Sequence, residues 1–424
     1  MKRFLLLALA LVLAVQMLSS QELDPRLRDS TLRVNYVFSG TDRTCDIAVD
    51  ELDILSGWAG RRVNMKDVPL RGNGQLSMTC AADGDTLYRM SFSTLFQEWQ
   101  ATEEATRVRK SFENVFLLPM PAVPVNITVT LYDFKDNAVA SLSHPVDPSD
   151  ILIRPKGGYT AASVDALEGG CAQGKYLHFS GAPEEKIDIV IVPEGYTGEE
   201  METFFTDAGA AVESLFAHEP FGAMKDRFNI LAVNVPSKDS GVSVPREGLW
   251  KETAAGSHFD TFYSDRYLTT LRLRQLHDLL TDVPYEHIII LANTDTYGGG
   301  GIFNSYTLTT AHHPKFRPVV VHEFGHSFAG LADEYFYDDQ FVEYYYPEVE
   351  PWEKNITTKA DFSAKWQDLI DAGKAGMIEG GGYQSKGVWR GCEDCRMKTN
   401  EAEGFCPVCQ QAIEEIIRFY TEEL

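Results

Sequence analysis

His322-Glu323-Phe324-Gly325-His326 constrains this chain more tightly than anything else in it. Two histidines four apart share a face only on an α-helix, where four residues make one turn plus about 40° and rise about 6 Å. Both imidazoles then reach one zinc ion, and Glu323, beside that face, is placed to take a proton from water activated by the metal. Pro318 suits a helix start and Gly330 a helix end. Two exposed histidines on an ordinary helix would show the same spacing. The apolar run Val319-Val320-Val321 before the motif, and the sequence after it, argue instead for a metal site.

That following sequence is Gly330-Leu331-Ala332-Asp333-Glu334-Tyr335. A catalytic zinc takes three protein ligands and keeps one position open, so the two histidines need a partner. A glycine after the helix lets the chain turn, and Asp333 is the first carboxylate beyond it. Metzincin peptidases have the same three-residue step from turn glycine to third ligand; here one residue is inserted ahead of the glycine. Glu334 is the competing ligand, with Asp338 and Asp339 behind it.

These residues resemble the bacterial IgA-peptidase family of zinc metallopeptidases. Glu194-Gly195-Tyr196-Thr197, Glu379-Gly380-Gly381-Gly382-Tyr383, Cys395-Arg396-Met397-Lys398 and Phe405-Cys406-Pro407-Val408-Cys409 fit the same resemblance. It covers roughly residues 185 to 420, and the N-terminal part fits the family's companion domain. It implies a metzincin-like peptidase fold; it does not imply that IgA is the substrate. Met397 is the candidate Met-turn beneath the metal, an ordinary core methionine being the competing reading. Some metzincins follow that methionine with an oxyanion-stabilising tyrosine, but Lys398 and Thr399 stand here. Tyr383, after three glycines, is the candidate transition-state stabiliser, although such glycines also suit a surface turn.

The rest of the chain divides by texture. Leu32, Val34, Tyr36 and Phe38 alternate with mostly polar neighbours, as do Leu76, Met78 and Cys80, then Tyr88, Met90 and Phe92, then Val125, Ile127, Val129 and Leu131. Period-2 runs broken by turns such as Asp83-Gly84 predict an antiparallel β-sandwich over residues 21–155, with no catalytic constellation of its own. Pro145 to Gly158 reads as a linker. Beyond it, strands at Ile187–Val192, Phe228–Val235 and Ile288–Leu291 alternate with helices at Glu199–Phe216 and Tyr267–Leu280. That predicts an α/β, mixed-sheet domain over residues 156–424. Gly298–Gly301 lacks the Lys-Ser/Thr of a phosphate loop. The strand expected after it, Ile302–Thr310, is a candidate sheet edge for an extended substrate. His312 and His313 are candidate cleft residues.

Lys2 and Arg3, the apolar run Phe4–Val15 and Ser19-Ser20-Gln21 read as a signal peptide over residues 1–20. No other stretch is long enough to span a bilayer, so the mature chain is expected to be exported, periplasmic or extracellular. With 38 basic and 62 acidic residues the net charge is −24, which excludes nucleic acid as a partner on electrostatic grounds. Seven cysteines in an exported chain favour disulfides with one left over. Cys45 and Cys80 are a candidate pair and Cys171 the odd thiol. Cys392, Cys395, Cys406 and Cys409 form CxxC-x10-CxxC, which suits either disulfides or a second zinc. Asn126 and Asn355 match the glycosylation pattern, which is too common to weigh.

The expectation is therefore a secreted zinc endopeptidase with His322, His326 and Asp333 on Zn2+, Glu323 as general base, and a peptide or protein substrate. The competing readings are an exported binding protein with an inactive peptidase-like domain, and a zinc amidase acting on cell-wall peptides. Nothing in the pattern bears on oligomeric state.

Overall fold

The computed structural model describes residues 22–157, 174–337 and 344–423. The segment read as a signal peptide lies outside the described residues, as do Gly158, Cys171, Asp338 and Asp339.

The alternating N-terminal runs become β1 (Leu27–Gly40), β2 (Cys45–Ser56), β3 (Gly74–Cys80), β4 (Thr86–Phe92), β5 (Lys110–Pro121), β6 (Val125–Tyr132), β7 (Ala138–Val146) and β8 (Arg154–Pro155). They form two four-stranded sheets, in the orders β5-β1-β2-β8 and β4-β3-β6-β7. All pairings are antiparallel except the short β2–β8 contact. Leu32, Val34, Tyr36 and Phe38 from the first sheet share one core with Leu76, Met78, Ile127 and Val129 from the second. Each such side chain, fully buried, contributes about 1.5–3 kcal/mol. A short helix, Leu95–Gln100, follows β4; the Thr94 side chain caps it by accepting the Gln97 N–H at 3.2 Å.

The second half is built on β9 (Gly174–His178), β10 (Ile187–Glu194), β11 (Phe228–Val233), β12 (His287–Ala292), β13 (Gly299–Ile302) and β14 (Tyr306–Thr310), in the order β13-β14-β12-β10-β11-β9. The four inner strands are parallel and the two edge strands antiparallel. Every residue of β10 and β12 is buried, as strands covered on both faces require. Ile187, Ile189 and Ile191 face the helices Met201–Phe216, Phe316–Ala329 and Pro407–Thr421. Val190 and Val192 face the other way, into the core that the N-terminal sheets build. Arg33, fully buried on β1, reaches Asp53 at 2.8 Å and Asp278 at 2.7 Å, tying the two halves together. A third, small sheet of β15 (Phe336–Tyr337), β16 (Ile356–Thr357), β17 (Ile378–Gly381) and β18 (Tyr383–Arg390) completes a multidomain α/β protein.

Three expectations need correction. The helix expected over Tyr267–Leu280 is confined to Leu273–Asp278, because Tyr267 and Thr269 form extended bridges with Gly299 and His258. The glycine run is itself a strand, β13, turning at Phe303–Ser305 into β14. β14 is paired on both sides, by β12 and β13, so it is not the sheet edge.

Candidate metal centre

The helix Phe316–Ala329 carries the motif and is buried nearly all round, which explains an apolar sequence with no polar face beyond the motif itself. Phe324 and Phe328 stack on each other and contact Phe221. Gly330, at φ 58°, ends the helix in the left-handed conformation. The chain then reverses, and Asp333 Oδ1 comes to 3.1 Å from His322 Nε2 and 3.3 Å from His326 Nε2. The two Nε2 atoms are 3.1 Å apart.

Hydrogen bonds behind the rings decide what this convergence is suited to. His322 Nδ1 lies 3.0 Å from the Arg396 carbonyl and His326 Nδ1 2.5 Å from the Leu331 carbonyl. A carbonyl only accepts, so both Nδ1 atoms carry hydrogen and, in the neutral rings, both Nε2 atoms present lone pairs. Asp333 Oδ1 is buried and receives no hydrogen bond. Three acceptors aimed at one point are unfavourable unless a cation sits among them.

The charges point the same way. Burial alone would raise the Asp333 pKa, but His326 and His322 outweigh it and hold the carboxyl far below its usual range. Burial works against charge on His326, yet Asp333 and Glu323 push its pKa up to about 9. The pocket thus attracts positive charge, which a proton or a metal ion supplies. Burial raises the pKa of Glu323, opposed by His322 and His326 and assisted by Asp333.

The profile described as IgA Peptidase M64 matches residues 176–375 and 371–417, and that described as Peptidase M64 N-terminus matches residues 22–143. The chain belongs to the M64 peptidase family. It is therefore a peptidase, with a protein or peptide as substrate. No curated protein matches it. No helix among the described residues is long and apolar enough to cross a membrane.

Within this M64 peptidase, Met397 is fully buried, and its Sδ would stand 2.8 Å from a Cβ on Gly325. The motif's glycine thus lets the sulfur lie against the helix between the two histidines. Tyr383, at φ 65°, donates its hydroxyl hydrogen to Asp333 Oδ2. Glu334 turns away: its N–H donates to Met397 O at 2.9 Å, and its Oε1 meets Asn355 Nδ2 at 3.0 Å and Cys409 Sγ at 3.1 Å. Asn355 is wholly buried in this network, so its glycosylation pattern has no accessible acceptor. His312 binds Asp207 at 2.9 Å, His313 meets Tyr297 edge to face, and neither lines the cleft.

The M64 cleft has a volume of about 800 Å³. The N-terminal half, read from sequence as chemically bland, supplies part of its wall, including Arg71, Asn73 and Glu98. Glu98 accepts a hydrogen bond from Tyr267 and has its pKa raised to about 7, burial being the main cause. No periodic pattern marks Glu98, which lies on an ordinary short helix. Gly299 and Gly301 of β13, the end strand of the six-stranded sheet, also line the cleft and bring the strand against the motif helix. A Cβ on Gly301 would lie 2.2 Å from Glu323 O.

The expected disulfides are not found among the described cysteines. Cys45 and Cys80 are free thiols on separate sheets, and Cys392, Cys395, Cys406 and Cys409 are unbridged. Cys395 and Cys409 have sulfurs 3.6 Å apart, against about 2.05 Å for a bond.

Proposed function

We propose that this M64 peptidase is an exported, zinc-dependent endopeptidase with a metzincin-like catalytic domain, preceded by a β-sandwich that ends near residue 155. The observation that carries the reading is the convergence of His322 Nε2, His326 Nε2 and Asp333 Oδ1 beside Glu323 in an open cleft. Two imidazoles and a carboxylate are a donor set that suits zinc. Zinc held there supplies Lewis acidity and lowers the pKa of a coordinated water to about 7.

The chain's own residues do the rest. Glu323 accepts the proton of the attacking water on a carboxylate oxygen and returns it to the leaving amine. Its raised pKa suits both halves of that exchange, since a stronger base holds the proton between the two steps. The backbone carbonyls behind His322 and His326 fix their ring orientation. Tyr383 positions Asp333. Export is supported by the basic, apolar and small-residue order of residues 1–20. The domain division is supported by the two family matches, one ending at residue 143 and the other beginning at 176, and by β8, whose pairing with β2 keeps Arg154 and Pro155 in the N-terminal sheets.

The test is cleavage of a mixed peptide library, with and without chelator, by the full chain and by Glu323→Gln. Activity should be abolished by chelator and restored by zinc. The amide variant should keep its metal and lose about 10²–10⁴-fold in turnover. Turnover within threefold of the parent would show that another group is the base.

A further inference from the structure

We propose that Cys395, Cys406, Cys409 and Glu334 form a second, structural metal site for a thiophilic divalent cation, zinc by ligand type. Their ligand atoms all lie within 4.8 Å of one another, and all four residues are buried. Two sulfurs each about 2.3 Å from one tetrahedral zinc would stand about 3.8 Å apart. The observed Cys395–Cys409 separation of 3.6 Å matches that span. The second, independent observation is Glu334 Oε2. It is buried without a hydrogen-bond partner, although the residue is 0% exposed. The same carboxylate meets Cys409 Sγ through Oε1 at 3.1 Å, and a cation held by the carboxylate and the sulfurs explains the free electron pairs left on Oε2. Cys392, half-buried, lies at the outer side of the cluster, against Cys406 and 4.0 Å from Lys374 O.

The segments that hold this site also hold the first one. Glu334 directly follows Asp333, and its N–H donates to Met397 O at 2.9 Å. The Met397 N–H points to Cys395 Sγ at 3.5 Å, and the Cys406 N–H to the same sulfur at 3.3 Å. Arg396, between Cys395 and Met397, offers the carbonyl that orients His322. A metal at the cysteine cluster therefore clamps residues 333–334 to residues 395–397, fixing the aspartate and the floor under the two histidines.

Zinc per chain should be measured on full-length protein purified under reductant, alongside a His322→Ala/His326→Ala double variant. The parent should hold two equivalents and the double variant one. X-ray absorption of the double variant should show three sulfurs at about 2.3 Å and one lighter atom at about 2.0–2.2 Å. A thiol-directed mercurial should release one equivalent from the double variant, and Cys409→Ser should hold one fewer than the parent. The double variant needs no change at the cysteines, so it remains decisive if Cys409→Ser fails to fold. A folded double variant without zinc, or with Cys395 disulfide-bonded by peptide mapping, would overturn the site. A four-sulfur shell would overturn the place given to Glu334.

Discussion

Tyr383→Phe separates two roles for one hydroxyl. The loop glycines suggested a transition-state donor, whereas the structure puts the hydroxyl hydrogen on Asp333 Oδ2. The substitution removes one oxygen and leaves the ring contacts with Tyr335 and Tyr344, at 5.4 and 5.8 Å between centroids. Asp333 keeps only 5% of its side chain exposed, so water does not readily replace the lost donor. A hydrogen bond to a buried charged acceptor is worth about 1.5–3 kcal/mol. At about 1.4 kcal/mol per decade, that is roughly 10- to 100-fold in metal affinity, in line with the effect of removing an outer partner of a ligand. The assay is a zinc titration of dialysed protein against a chromogenic chelator, followed by turnover at saturating zinc. The expected result is weaker zinc binding by about that factor, with kcat within about threefold once the metal is saturating. Unchanged affinity with kcat down by about 100-fold or more would refute the positioning role and put the hydroxyl on the reacting atoms.

Gly301→Ala should lower stability by about 1–3 kcal/mol and reduce peptide hydrolysis, since its Cβ would fall 2.2 Å from Glu323 O and 2.9 Å from His326 Cβ. Denaturant unfolding and hydrolysis both at parental values would mean the strand does not press on the helix. Burial pushes the His287 pKa down from its ordinary 6.5 to about 3. The unfolded chain therefore takes up a proton below pH 6.5 that the folded chain refuses until about pH 3. Stability from this residue is present above pH 6.5 and is lost as pH falls, at about 1.4 kcal/mol per unit. His287→Phe should remove that slope, so the parent should lose about 2 kcal/mol more than the variant between pH 6.5 and 5. Parallel unfolding curves would contradict it.

What could be read directly was whatever depends on neighbours in the chain. The histidine pair is an i, i+4 relation, the turn at Gly330 needs one residue type, and the alternation of Leu32, Val34, Tyr36 and Phe38 follows from the pleat. The three-residue step from Gly330 to Asp333 pointed to the carboxylate that meets the histidines, since the reversal is local. Position across the fold was not legible. The carbonyl behind His322 is 74 residues away and the tyrosine on Asp333 is 50 away. Glu98 reaches the cleft beside Tyr267, 169 residues later. The spacing of the cysteines could not choose between disulfides and ligation, because that choice rests on sulfur separations and on Glu334, 61 residues before the nearest clustered cysteine, Cys395. Where Tyr267 pairs with Gly299, a strand contact overrode the helical pattern. Periodicity records which face of an element is buried; sheet order decides which faces meet, and that order is set by packing the whole chain at once.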